Sequence, residues 1–421
     1  MSKTQTGAKS NGRAAKFISL LSLGAGALAL AASIWIIVPA PSYQIWLFSV
    51  AASEWSFAPA ALAVFGIFSA LIFGKRGAIK AVSIFLGALA LSISLYPFFS
   101  ALAAARRHNV SLSLREYTAG FPSGGGVVGK ETFSFAEIDG KPLDLDVYSP
   151  PENIAKNGAS VIVVHGGSWN AGARSDFPQW NAWLAREGFT VFDIDYRTAP
   201  QPNFSIATGD VKCAVLWIKK NAARFGVAPD RIVLLGRSAG AHLALLAAYS
   251  AGDARFPPSC PNTETNNDGR ETVDKNTPAH ENSFPNENVR AVVSFYAPTD
   301  LIWDFDNPAN EAVIDGRQTL ARFLGGNPHE SAQMNERFAS ASPTARVSAN
   351  SPPTLLIHGG QDQLVKAENM DFLAEKLAAA SVPHQTVFIG YAQHGFDYNS
   401  NGWGAQTVKP VLLGFLRENT R

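Results

Sequence analysis

The chain has only two cysteines and three methionines in 421 residues. Cys213 and Cys260 are too few for the usual four-ligand metal framework, and no C-x-x-C occurs, so no metal centre is expected. The two thiols could pair in an oxidising compartment, or Cys213 could stay free and buried on a helix. Acidic residues are nearly missing from the first quarter. Residues 1–108 carry nine Lys and Arg against one acid, Glu54, a net charge of +8. The remainder holds 26 basic and 33 acidic residues, so the overall charge of +1 hides two physically different parts. The basic residues of the first part flank apolar runs and the second part is acidic, which argues against nucleic acid as a partner.

What the first part does have is long apolar stretches, at residues 17–38, 57–73 and 81–103. The first is long enough for a bilayer core of about 30 Å, and the Gly and Ala content suits close helix packing in lipid. Residues 43–53 are apolar but short, with Trp46, Glu54 and Trp55 at their edge, and fit an interfacial segment or an extension of the second run. A cleaved signal peptide is disfavoured, because the first run is long, lacks a small-x-small site and is followed by two more. Soluble core helices are disfavoured too, because the runs have almost no polar face. Residues 1–108 therefore read as a membrane anchor of about three transmembrane helices, with the bilayer as partner. Four basic residues precede the first run and three lie between the second and third, against none in 39–56. The positive-inside rule then puts the downstream part outside the cytoplasm, with Arg106 and Arg107 counting the other way. If the middle run does not cross, that part is cytoplasmic.

Residues 109–130 form a connector marked by Gly120, Gly124, Gly125 and Gly126. Over 131–421, short β-branched runs at 161–164, 190–194, 231–235, 289–296, 354–357 and 386–389 alternate with helical patterns such as 180–187 and 208–224. That alternation predicts an α/β fold, a mostly parallel sheet covered on both faces by helices. Residues 252–288 are polar and aperiodic, and read as a lid-like or partly disordered insertion.

Gly236-Arg237-Ser238-Ala239-Gly240 stands between the strand 231–235 and the apolar helical run 241–248. This is the setting of a nucleophile elbow, where a helix N-terminus supplies positive potential for a developing oxyanion. An acid and a histidine should follow in that order. Asp362 sits in the loop after the strand 354–357, and His394 in the loop after 386–389. His394 is the base candidate and Asp362 its orienting acid. Asp300 and Asp397 are alternative acids, but Asp300 comes a strand early and Asp397 follows the histidine. His108, His280 and His329 lie in connectors or polar segments. His384 precedes a strand, His242 lies in the elbow helix, and His165 and His358 precede Gly-Gly pairs that suggest structural hydrogen bonding. The segment His165-Gly166-Gly167-Ser168-Trp169 directly follows an early strand, where main-chain N–H groups can approach a substrate oxygen.

From about residue 143 onward the chain resembles α/β-hydrolase esterases of the hormone-sensitive-lipase-like and BD-FAE-like groups. The resemblance rests on His165–Trp169, on Asp195-Tyr-Arg-Thr-Ala-Pro200, on Gly236–Gly240, on Ala297-Pro-Thr-Asp-Leu301, on Ala341-Ser-Pro343, and on the stretch 352–362. It implies an α/β-hydrolase fold and ester cleavage through an acyl-enzyme, with no metal and no organic cofactor. It also implies a triad of Ser238, Asp362 and His394 and an oxyanion hole from Gly167, Ser168 and Ala239. Ser168 stands where lipase-like members carry a third glycine, which favours the BD-FAE-like branch. The expected substrate is a small or amphiphilic ester. An acyltransferase, an amidase or a non-catalytic binding protein are the alternatives.

Overall fold

Large apolar residues outside and small ones inside characterise the first part of the chain. In the computed structural model, which describes residues 4–74, 77–119, 128–260, 263–265, 271–273 and 286–421, four helices come first. They are α1 (Thr4–Ser33), α2 (Tyr43–Glu54), α3 (Phe57–Phe73) and α4 (Ala78–Arg107). Helices α1, α3 and α4 pack together, with α3 antiparallel to the other two. A Cβ added to Gly26 would lie 3.1 Å from the Ser83 carbonyl oxygen, and one on Gly66 3.2 Å from the Gly26 nitrogen. Such close backbone approach excludes larger side chains and is the packing expected of helices in lipid. Phe17, Leu28, Phe65, Phe68 and Phe85 point outward and are exposed. Ala15–Ile36 and Ala78–Arg107 are each long and apolar enough to cross a membrane, while α2 and α3 meet at a 76° bend. The 43–53 segment is thus a helix of its own rather than a straight extension of α3. The basic pair Lys75 and Arg76, the Gly120–Gly126 part of the connector and most of 261–285 lie outside the described residues.

The strands that follow are β1 (Lys130–Ile138), β2 (Lys141–Tyr148), β3 (Ser160–Val164), β4 (Thr190–Ile194), β5 (Ile232–Arg237), β6 (Thr263–Thr265), β7 (Glu271–Val273), β8 (Ala291–Phe295), β9 (Thr354–Gly359) and β10 (His384–Ile389). Eight of them form one sheet in the order β1-β2-β4-β3-β5-β8-β9-β10, and β6 pairs with β7 separately. Pairing is parallel from β4 through β10 and antiparallel at β1–β2 and β2–β4. Strands β3, β4, β5, β8 and β9 are buried at every position, which accounts for their largely apolar sequences. The β1–β2 hairpin lies before the first strand expected from sequence. It turns through Asp139 and Gly140, both with positive φ, and its half-exposed alternation is a weaker signal than a fully buried run.

Two cores cover the two faces of the sheet. One gathers the helices Phe204–Lys220, Ala239–Tyr249 and Glu368–Ala379, and the other Pro178–Arg186 and Trp403–Asn419. The second core also includes Ala101 and Ala104, so the last turns of α4 pack directly against the sheet layer. Cys213 and Cys260 form a disulfide with Cα atoms 5.4 Å apart. The described start of the polar insertion is fastened rather than loose. Phe256 is fully buried, and the Lys212 ammonium donates to the carbonyls of Ser250 and Phe256 and pairs with Glu287.

Candidate active site

Strand β5 delivers Ser238 into a backbone conformation that an L-residue adopts only under constraint, φ 53° and ψ −124°. Its N–H donates to the Phe295 carbonyl at the end of β8 (2.9 Å), which pins the turn to the neighbouring strand. The helix Ala239–Tyr249 begins at the next residue. Both glycines of the motif are sterically required. A Cβ on Gly236 would lie 2.3 Å from the Gly240 carbonyl oxygen, and one on Gly240 2.2 Å from that of His165. No real Cβ tolerates such distances, so strand, turn and helix can approach this closely only with glycine there.

Asp362 and His394 meet in the loops after β9 and β10, with His394 Nδ1 2.7 Å from Asp362 Oδ2. The other carboxylate oxygen accepts the N–H groups of Leu364 and Val365, each at 2.9 Å. His358 approaches Asp362 Oδ2 at 3.3 Å while its Nε2 also lies 3.0 Å from the Val365 carbonyl. Full burial on its own would raise the Asp362 pKa. The His394 charge and the hydrogen bonds from His358 and His394 outweigh it and hold the carboxyl well below the usual range. Asp362 is therefore a fixed anion with His394 Nδ1 held against it. His358, which from its Gly-Gly context suggests only structural bonding, is a second imidazole on that carboxylate.

The alternative acids have other work. Asp300 caps the helix Leu301–Asp306 by accepting from the Trp303 N–H. Asp397 accepts from Arg237 Nε at 2.6 Å and from the Tyr296 hydroxyl at 2.6 Å. All three groups are buried. The Arg237 guanidinium also lies over the Phe177 ring at 4.2 Å. Arg237 precedes Ser238, Asp397 follows His394 by three residues, and the Tyr296 ring lies 4.4 Å from the His394 ring. One buried network thus ties the Ser238 turn to the His394 loop. Nothing in the sequence marks it, because its partners are 160 and 101 residues apart.

The His165–Trp169 loop carries positive φ at three successive residues, Gly167 (108°), Ser168 (52°) and Trp169 (59°). A Cβ on Gly167 would meet the Ala171 carbonyl oxygen at 2.2 Å. The loop is braced on several sides. Trp169 stacks on Phe323 and donates its indole N–H to His242 Nδ1, and His242 Nε2 reaches the Ala341 carbonyl. Asn203 donates to the Trp169 carbonyl, and Tyr196 stacks on His165. The Asp195–Pro200 segment is held in turn by Arg174–Asp195 and Arg197–Asp210 ion pairs.

Ser168, Ser238 and Ala239 line one open cleft together with Ile314, Leu320 and Leu364. Asp304 also lines it. One oxygen of this carboxyl accepts from Asn369, the other has no partner, and burial pushes its pKa up to about 7. Among the described residues, no member of the 252–288 insertion lines the cleft. Nor do the described residues hold a group of three or more His, Cys, Asp or Glu side chains suited to a metal ion.

The strand order agrees with comparisons to known proteins. Esterase LipC of Mycobacterium tuberculosis is 32% identical over 285 residues, covering 65% of this chain and 62% of LipC. Esterase LipQ of the same organism is 27% identical over 260 residues, 60% of this chain and 54% of LipQ. The chain thus spans less than two thirds of the length of these curated relatives. Among solved structures, the esterase Est2 of Thermogutta terrifontis aligns with a TM-score of 0.50 and 24% identity, over 69% of this chain and 92% of that one. An acetyl ester-xyloside bifunctional hydrolase of Caldicellulosiruptor lactoaceticus aligns with a TM-score of 0.53 and 21% identity, over 70% of this chain and 98% of that one. These likenesses establish the α/β-hydrolase fold. Residues 145–377 match the BD-FAE family model, more than half of the chain, as the serine at position 168 led one to expect, and the chain belongs to the BD-FAE family.

Proposed function

We propose that this protein is a serine hydrolase that cleaves carboxylic esters through an acyl-enzyme. The observation that carries the reading is the buried Asp362 carboxylate bonded to His394 Nδ1, on the same sheet edge as the strained Ser238 turn. With Nδ1 donating to Asp362, His394 Nε2 is the free base that removes the Ser238 proton as Oγ attacks the ester carbonyl. Main-chain N–H groups of Ala239, Gly167 and Ser168 receive the oxyanion, and the helix Ala239–Tyr249 adds its N-terminal potential. His394 then protonates the departing alcohol, and water repeats the sequence on the acyl-enzyme. That similar chains are called esterases supports the choice of ester over other acyl compounds. Ser238→Ala should reduce turnover of a small acyl ester by about a millionfold and abolish labelling by a fluorophosphonate probe. Undiminished turnover by that variant would refute the assignment.

The site is held at a membrane by the N-terminal helices and faces the extracytoplasmic side. In the sequence the basic residues gather before Phe17 and between α3 and α4, with none in 39–56, which fits the positive-inside rule. A disulfide in the catalytic part fits an oxidising compartment. Protease added to intact cells should cleave the catalytic part; protection until lysis would overturn this orientation.

A further inference from the structure

The loops that wall the cleft are braced from behind by the N-terminal helices. Ala40, in the link between α1 and α2, donates its N–H to Gln363 Oε1 at 2.7 Å and accepts from Asn310 Nδ2 at 2.7 Å. Gln363 immediately follows Asp362, and its amide reaches Gln393, which immediately precedes His394. Ala40 and Trp46 form a buried cluster with Val313, against which Leu364 packs. Ala309, Ile314 and Leu364 line the cleft, and they are the immediate chain neighbours of Asn310, Val313 and Gln363. The lip of the cleft therefore lies where α1 ends and α2 begins. Just there the outward surface is apolar: Ile37, Val38, Tyr43, Leu47 (49% exposed) and Phe48 (44% exposed) each present part of an apolar side chain outward.

An exposed apolar face on a helix bent 76° from its neighbour, beside the end of a membrane-crossing helix, is the geometry of a segment lying in the bilayer interface. From this we infer that the cleft is loaded from the membrane. Its substrates are amphiphilic esters embedded in the bilayer, entering over the α2 lip with the acyl chain along Ile314, Leu320 and Leu364. This rests on the ester-hydrolase reading. It adds that α2 is immersed in the interface and brings the cleft to bilayer-borne ester.

The test uses the full-length chain reconstituted in vesicles of ether-linked phosphatidylcholine, which offers no ester of its own. The vesicles carry a fluorogenic long-chain ester, and a water-soluble acetate ester is assayed in parallel. Leu47→Asp combined with Phe48→Asp replaces two side chains that face outward and do not line the cleft. The double variant should lose about tenfold or more of its turnover of the vesicle-borne ester. Its kcat/KM for the soluble acetate should stay within about twofold, which also reports that it is folded. Equal loss on both substrates, or no loss on the vesicle-borne one, overturns membrane loading. Unaltered protein that hydrolyses the acetate but leaves the vesicle-borne ester intact also overturns it, while the ester-hydrolase reading stands. Failure on both esters, with Ser238 refusing the fluorophosphonate, removes the ester-hydrolase reading and the inference together.

Discussion

At the scale of single residues, the site depends on buried polar groups whose partners are remote in sequence. Ser238, Asp362 and His394 are legible because each follows a strand and carries its chemistry in its residue type. Arg237 and Asp397 are not, since a charged pair buried under Phe177 and Trp180 shows only once the loops are placed. Asp397→Asn would leave the Arg237 guanidinium uncompensated and should cost about 3–5 kcal/mol of stability. Because Asp397 joins the Ser238 turn to the His394 loop, kcat should fall more than KM rises. Adding Arg237→Met should recover about half or more of the lost stability, since an apolar side chain leaves no stranded charge. Urea unfolding of the single and double variants checks this, and equal stability of all the chains would show that the pair is idle. His242 makes a second residue-scale prediction. Burial lowers its pKa to about 4, so the folded state keeps it neutral. Between its unfolded value of 6.5 and about 4, the unfolded chain binds a proton that the native chain does not. Stability is therefore fully present above that window and falls as the pH drops through it, by up to about 3 kcal/mol. His242→Gln should flatten this acid limb in unfolding curves taken across the same range.

At the scale of elements, what the sequence reveals depends on burial. Strands covered on both faces announce themselves as apolar runs, and β3, β4, β5, β8 and β9 coincide with such runs. The β1–β2 hairpin is half exposed and its alternation is interrupted by a register shift between Ser134 and Ala136, so its signal is diluted. The α2–α3 bend is equally hard to anticipate, because a broken apolar run and a continuous one have the same composition. The cysteines belong at this scale as well. Their link closes a loop with a sequence separation of 47, joining the helix Phe204–Lys220 to the start of the polar insertion. Cross-linking a loop of that length restricts the unfolded chain and should stabilise the fold by about 2–4 kcal/mol. Cys213→Ser with Cys260→Ser, or mild reduction, should lower the urea midpoint accordingly. Because neither cysteine touches the cleft, turnover below the unfolding transition should be unchanged; an unshifted midpoint would mean the link restrains little.

At the scale of the whole molecule, the question is whether the N-terminal helices are a tether or part of the folded unit that carries the cleft. A tether could be removed without consequence. Here α4 is about 45 Å long at 30 residues, more than a bilayer core of about 30 Å requires, and its last turns carry Ala101 and Ala104 into the sheet-side core. Phe57 and Phe98 meet Trp403, and Tyr391 donates its hydroxyl to Glu54. Ala40 meanwhile holds Gln363 beside Asp362. Each of these contacts ends within a few residues of a loop that carries Asp362 or His394, or on a helix packed against them. Removing residues 1–108 would uncover Trp403 and Leu364, leave Gln363 without one of its partners, and free the two loops to drift. A displacement near 1 Å is enough to lose geometry at a reacting centre, so a fragment of residues 109–421 should lose about ten- to a hundredfold in kcat for a soluble ester. Its thermal midpoint should also fall. The Ser238 turn is pinned by β8 and should hold its shape, so slow fluorophosphonate labelling should survive. A fragment with full kcat and an unshifted midpoint would show that the helices contribute nothing to the cleft.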